Sequence, residues 1–257
     1  MCPALRGPLK SMKPFRNLIG RLSKQKDAGG SSSPNRAVRD EAEYRYVFIF
    51  TYGRSGSTLL MGYLNSLPGF CIRGENYNAL AHLCSFYHAA RETKGQVAKK
   101  SMLPVHPWYG ADLIQPEEVR HAIRRTFVDT VLKPPADAKV VGCKEIRINW
   151  NEIKDLDAFL ADVVEIFGDV KIIFNHRDIL STSKSSWWKD TAHSYATIRG
   201  MDQRLRENRF AAAPNAFHVE YEELVAGAEH ARKLTEFLGV PFDPAAYEKV
   251  MATRHSY

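Results

Sequence analysis

The chain has 257 residues of ordinary globular composition, enough for one large domain with its own core or for such a domain plus a tail. No apolar run is long enough to cross a bilayer and the N-terminus lacks the apolar core of a secretory signal. Cys2, Cys71, Cys84 and Cys143 show no metal-ligand spacing, so membrane-spanning, secreted and disulfide-stapled classes are set aside and a cytoplasmic protein with reduced thiols is expected. Of 36 Lys/Arg and 29 Asp/Glu, nine and two lie in the first forty residues, which carry the whole net charge of +7. The body is neutral, so nucleic-acid binding by it is not expected, and an anion site there must be a local arrangement.

In chain order, residues 1–43 read as a basic, disordered tail, with Pro3, Pro8, Pro14 and a Gly-Gly-Ser-Ser-Ser-Pro run. Within it, 15–26 has Phe15, Leu18, Ile19 and Leu22 on one helical face. That face suits peripheral contact with an acidic membrane, and a solvated tail is the alternative. The domain is expected over 44–257. Residues 46–51 (YVFIFT) are a buried strand, 53–56 a turn and 57–66 a helix. Further strands are expected at 69–73, 139–144, 170–175 and 216–219, and further helices at 117–132, 153–167, 195–209 and 221–238. Strands alternating with helices predict an α/β, P-loop-like three-layer fold, a mainly parallel sheet flanked by helices. The stretch 77–137, rich in His and aromatic residues, is either an acceptor-binding lid over the sheet edge or ordinary helical packing.

The segment 48–60 (FIFTYGRSGSTLL) concentrates chemistry. A strand gives way to a turn with Gly53 and Gly56 and then to a helix, which points free N–H groups and a positive helix end at one spot. Arg54 adds charge, and Ser55, Ser57 and Thr58 add hydroxyls. A nucleoside-triphosphate P-loop needs Lys beside a Ser/Thr and a magnesium-holding Asp after a strand, and neither is found here. A second anion grip is suggested at 170–186, where a strand leads through Arg177-Asp178 into a helix carrying Ser185; read alone, Arg177-Asp178 is also a plain helix-start ion pair.

These motifs, with the later Tyr221-Glu-Glu-Leu and Phe237-Leu-Gly, resemble the sulfotransferases that use 3′-phosphoadenosine 5′-phosphosulfate (PAPS), in their carbohydrate and tyrosylprotein branch. The resemblance implies that Arg54, Ser55, Gly56, Ser57 and Thr58 hold the 5′-phosphosulfate, and that Arg177 and Ser185, eight residues apart, hold the 3′-phosphate. It also implies that no metal is needed. Glu75, just past the second strand, matches a general base of that branch, and Lys144, at the end of the third, matches a residue that stabilises the departing phosphate. Arg147 is an alternative to Lys144, and Trp187 and Trp188 either stack on adenine or pack the fold. The C-terminal residues 254–257 either close over the cofactor or fray. A base beside a weakly acidic acceptor favours a sugar hydroxyl, on a saccharide or glycolipid, over a protein tyrosine. The competing readings are a P-loop-like nucleotide kinase or hydrolase, and a binding protein without turnover.

Overall fold

The computed structural model describes residues 44–96 and 103–253. The basic segment 1–43 and the residues 254–257 lie outside that range, so the tail and its membrane contact do too.

Five strands form one parallel sheet: β1 (Arg45–Phe50), β2 (Phe70–Arg73), β3 (Val140–Glu145), β4 (Val170–His176) and β5 (Ala216–Glu220), in the order β2-β3-β1-β4-β5. Phe48 of β1 stands between Cys143 of β3 and Ile172 of β4. A parallel sheet covered on both faces needs strands that are apolar on both sides, and β1 is buried at five of its six residues. Its alternation still sorts the layers. Tyr46, Phe48, Phe50 and Tyr52 join one core cluster with Tyr87, Phe127, Phe159, Phe167 and Leu205. Val47 and Ile49 join the other with Leu60, Leu64, Leu234 and Tyr247. Phe167 meets Tyr46 and Phe48 edge-on at 4.8 and 5.1 Å, and each such fully buried side chain contributes about 1.5–3 kcal/mol. The expected three-layer α/β fold is therefore present. Winding reverses at β1, which leaves a crevice at the C-terminal ends of the strands.

The helices are α1 (Ser57–Ser66), α2 (Ala79–Gly95), α3 (Pro116–Thr126), α4 (Leu156–Phe167), α5 (Ile179–Ser183), α6 (Ser194–Glu207), α7 (Tyr221–Ala226), α8 (Ala228–Phe237) and α9 (Pro244–Met251). Four expectations need correction. The helix expected at 117–132 ends at Thr126 and widens into a π turn, Phe127–Leu132, that buries Phe127, Val128 and Leu132. The helix expected at 221–238 is two, broken where Gly227 is fully extended (φ 176°, ψ 170°). α4 starts three residues later than expected, because the Asp155 carboxylate caps it by accepting from the Ala158 N–H at 3.0 Å. α9 was not expected, and it is capped by Asp243 with Pro244 at its first position.

Within the stretch 77–137, α2 packs on the sheet. α2 buries Leu80, Ala81, Cys84, Tyr87 and Ala90 on one face, and the Tyr87 hydroxyl donates to Glu165 of α4 at 2.6 Å. Cys71, Cys84 and Cys143 are free and buried.

Candidate active site

The loop after β1 is shaped by backbone that few residues adopt. Arg54 (φ 67°) and Gly56 (φ 79°) are both left-handed, which is strained for an arginine and easy for a glycine. A Cβ at Gly56 would stand 2.1 Å from the Tyr221 ring. The turn feeds α1, whose first N–H groups have no acceptor within the helix.

Side chains of β1 and β4 fix this loop. The Thr51 hydroxyl donates to the Asn175 carbonyl at 2.6 Å, and the Asn175 amide donates to the Ser55 carbonyl at 2.9 Å. The Trp188 indole N–H donates to the Gly53 carbonyl at 2.8 Å. Ser55 is fully buried, and its hydroxyl lies 2.7 Å from Thr51 Oγ1. The expectation that this hydroxyl faces a ligand is therefore corrected: it was placed by its position in the loop, and the loop turns it inward.

The second motif lies against this loop. Arg177 leaves β4, donates to the Arg54 carbonyl at 3.0 Å and stacks over Tyr221 at 4.5 Å. Its Nε is buried without a hydrogen-bond partner among the described residues. Ser185 is extended, between α5 and a 3₁₀ turn (Ser186–Asp190), and not on a helix as expected; its hydroxyl accepts from Arg54 Nε at 3.4 Å. Trp187, left open by the sequence, lies 5.6 Å from the Arg54 guanidinium, while Trp188 packs.

Glu75 follows β2 by two residues. Its carboxylate accepts from Lys144 Nζ at 2.8 Å and from Arg147 Nη1 at 3.0 Å, so both cations that the sequence weighed stand beside it. Lys144 is nearly buried at 6% side-chain exposure, against 31% for Glu75. Arg147 also donates to Glu145 at 2.8 Å. Burial pulls the Arg147 guanidinium down, but the Glu145 and Glu75 carboxylates outweigh it and hold it above its ordinary value.

Arg54, Gly56, Ser57, Thr58, Glu75, Lys144, Arg177 and Ser185 line one cavity of about 550 Å³, joined by Trp187 and Tyr221. Three cations against one carboxylate make its wall positive. None of the described residues from 77 to 137 lines it.

The chain matches the model of a family described as "Sulfotransferase family" over residues 46–244. It belongs to that family. Among solved structures it is similar to the sulfotransferase domain from the Synechococcus PCC 7002 olefin synthase, at 20% identity and a TM-score of 0.51, over 83% of this chain and 79% of that one. It is also similar to the sulfotransferase domain from the curacin biosynthetic pathway, at 13% identity and a TM-score of 0.48, over 82% and 79%. No curated protein matches it in sequence.

Beneath its cavity this sulfotransferase carries a buried polar chain that the sequence did not disclose. The Tyr52 hydroxyl accepts from the Arg177 N–H at 2.9 Å and has two acceptors in reach, the Arg177 carbonyl at 2.9 Å and Asp202 Oδ1 at 3.1 Å. Asp202 bonds His176 Nδ1 at 2.7 Å and Arg206 Nε at 2.8 Å, and His176 Nε2 meets His218 Nδ1 at 2.8 Å. Burial alone would raise the Asp202 carboxyl, but the bonds from His176 and Arg206 overcome it and hold the group at about 2. Burial pushes the His218 imidazole below its ordinary value. These partners come from four separate stretches of chain, so no spacing in the sequence announces them.

Proposed function

We propose that this sulfotransferase moves the sulfuryl group of PAPS to a sugar hydroxyl, on an oligosaccharide or glycolipid, with Glu75 as general base. The observation that supports this reading is the gathering in one cavity of Arg54, the α1 N-terminus, Arg177 and Ser185 with a carboxylate that is itself held by Lys144. The residues fit such a donor: Arg177 lines the cavity with its Nε unpartnered among the described residues, and Gly56 takes the left-handed turn before α1 at a place where a Cβ would strike the Tyr221 ring.

Bound PAPS would supply an activated sulfuryl group joined through oxygen to phosphate. Arg54, Ser57 and Thr58, with the first N–H groups of α1, would hold the 5′-phosphosulfate. Arg177 and Ser185 would hold the 3′-phosphate, the guanidinium by a forked donor set. Glu75 takes the proton of the acceptor hydroxyl as its oxygen bonds to sulfur, and the electron pair of the broken sulfur–oxygen bond leaves with the phosphate. Lys144, beside both Glu75 and the cavity, offsets that departing charge. Glu75 is kept aimed by its two cationic neighbours.

The test is sulfuryl transfer by wild type and Glu75→Gln, with calorimetry of adenosine 3′,5′-bisphosphate binding. Glu75→Gln should bind the bisphosphate as wild type does and lose about 10²–10⁴ in turnover. In Arg177→Ala, bisphosphate affinity should fall tenfold or more, as charge-assisted bonds of about 1.5–3 kcal/mol are lost. Undiminished turnover by Glu75→Gln removes the base, and unchanged affinity in a folded Arg177→Ala removes the 3′-phosphate grip.

A further inference from the structure

We propose that Tyr77 and Trp150, joined through Arg147, are the platform on which the acceptor lies, and that the acceptor ring is electrically neutral; this rests on the reading of Glu75 as the base. The platform begins with backbone strain. Tyr77 (φ 60°) and Asn78 (φ 58°) are consecutive left-handed residues, and neither is glycine. Such conformations persist only where their surroundings enforce them, and they collect at functional sites. Here the enforcement is specific. The buried Glu145 carboxylate accepts from the Asn78 N–H at 2.9 Å and the Asn76 N–H at 3.4 Å, and the Asn78 side chain donates to the Arg147 carbonyl at 3.1 Å. The turn so held leaves Asn78 buried and Tyr77 67% exposed.

A ring held outward by a strained turn gains nothing from the core. It does gain a neighbour: Trp150, from the loop between β3 and α4, is 37% exposed and meets Tyr77 edge-to-face at 5.1 Å. The Arg147 guanidinium lies 4.7 Å from the Tyr77 ring centre and 5.1 Å from that of Trp150, and the same guanidinium donates to Glu75 at 3.0 Å. Two solvent-facing rings from separate loops are thus set one guanidinium's width from the proposed base. Single exposed aromatics are common on protein surfaces. A pair from separate loops, tied to the same arginine as the base and to a doubly strained turn, is a built surface of the kind that ring-shaped ligands use.

Charge decides the class of ligand. Lys144 and Arg147 are matched by Glu75 and Glu145, and Arg147 donates to both carboxylates. Among the described residues, the two cations beside Glu75 are therefore already matched and leave no charge to spare for an acidic tyrosyl peptide or a polyanionic saccharide. What the acceptor side offers is apolar ring face beside a hydrogen-bonding carboxylate, which suits the C–H face and hydroxyls of a neutral sugar.

The experiment measures steady-state kinetics with PAPS for wild type, Tyr77→Ala, Trp150→Ala, the double variant and Tyr77→Phe. The acceptors are a neutral oligosaccharide, a neutral glycolipid, an acidic saccharide and an acidic tyrosyl peptide. Bisphosphate affinity is measured in parallel. Each alanine should raise KM for the neutral acceptor roughly three- to tenfold, the double variant further, with kcat nearly unchanged, bisphosphate affinity unchanged and Tyr77→Phe close to wild type; contacts of this kind are worth such factors. Unchanged KM in the double variant, preference for the tyrosyl peptide or acidic saccharide, or an equal loss of bisphosphate affinity overturns the platform. A wild-type protein that does not bind the bisphosphate overturns the donor reading instead, so the two failures are distinct.

Discussion

Replacing Asp202 with asparagine keeps the shape of the buried chain and removes its charge. Asp202 has 10% side-chain exposure and takes donors from His176 and Arg206. Its carboxyl is held at about 2 against an ordinary 3.8. A depression of that size corresponds to about 2–3 kcal/mol of folding stability. The folded value lies below the unfolded one, so this stability is complete above the unfolded value and is lost as pH falls through the folded value. Asp202→Asn should therefore unfold about 2–3 kcal/mol more easily near neutral pH, with a melting temperature lower by roughly 5–10 °C. The gap to wild type should close between about pH 4 and pH 2. Urea unfolding of both proteins across that range is the assay. Equal midpoints near neutrality, or a gap that persists undiminished at the acid end, would refute the assignment of this carboxylate as the charged hub.

Two further outcomes follow from the loop. Tyr52→Phe removes the acceptor for the Arg177 N–H, and leaving a buried donor unpaired costs about 1–3 kcal/mol. Calorimetry should show weaker binding of adenosine 3′,5′-bisphosphate but unchanged binding of adenosine 5′-phosphate, and an equal loss for both ligands counts against Tyr52 as the positioning residue of Arg177. Gly56→Ala costs roughly 1–2 kcal/mol for its left-handed backbone and drives Tyr221 from its place over Arg177, so bisphosphate affinity should fall at least tenfold. Wild-type affinity in that variant would show that the loop does not need the close approach.

The fold was legible where local pattern decides it. The apolar runs of β1, β3 and β4 fall within a residue or two of their predicted places, because strands buried on both faces carry a near-continuous apolar stretch. The joint setting of Arg54 and Arg177 was legible too, since each stands just beyond the end of such a strand; Ser185, past α5, came from the motif's resemblance. Direction was not. Ser55 points into the core because Thr51 and Asn175, one of them 120 residues away, capture its hydroxyl and carbonyl. The break at Gly227 and the π turn after Thr126 are tertiary choices laid over continuous helical periodicity. Tyr77 was visible only as one aromatic among many in a long stretch, and its strained backbone, which sets it apart from Phe86 and Tyr109, has no signature in composition.

The side-chain bonds between the ends of β1 and β4 also bear on selectivity. Thr51 grips the Asn175 carbonyl, Asn175 grips the Ser55 carbonyl, and Tyr52 grips the Arg177 N–H. The mounts of Arg54 and Arg177 are thereby one piece, and the span between them is fixed before any ligand arrives. On the proposed donor reading, two grips on such a mount would behave as a calliper: a nucleotide with its phosphates at another spacing would fill one jaw and miss the other. The same stiffness acts on departure. On that reading, a product that keeps both phosphates would have to leave both jaws at once, so the same bonds would act on its release.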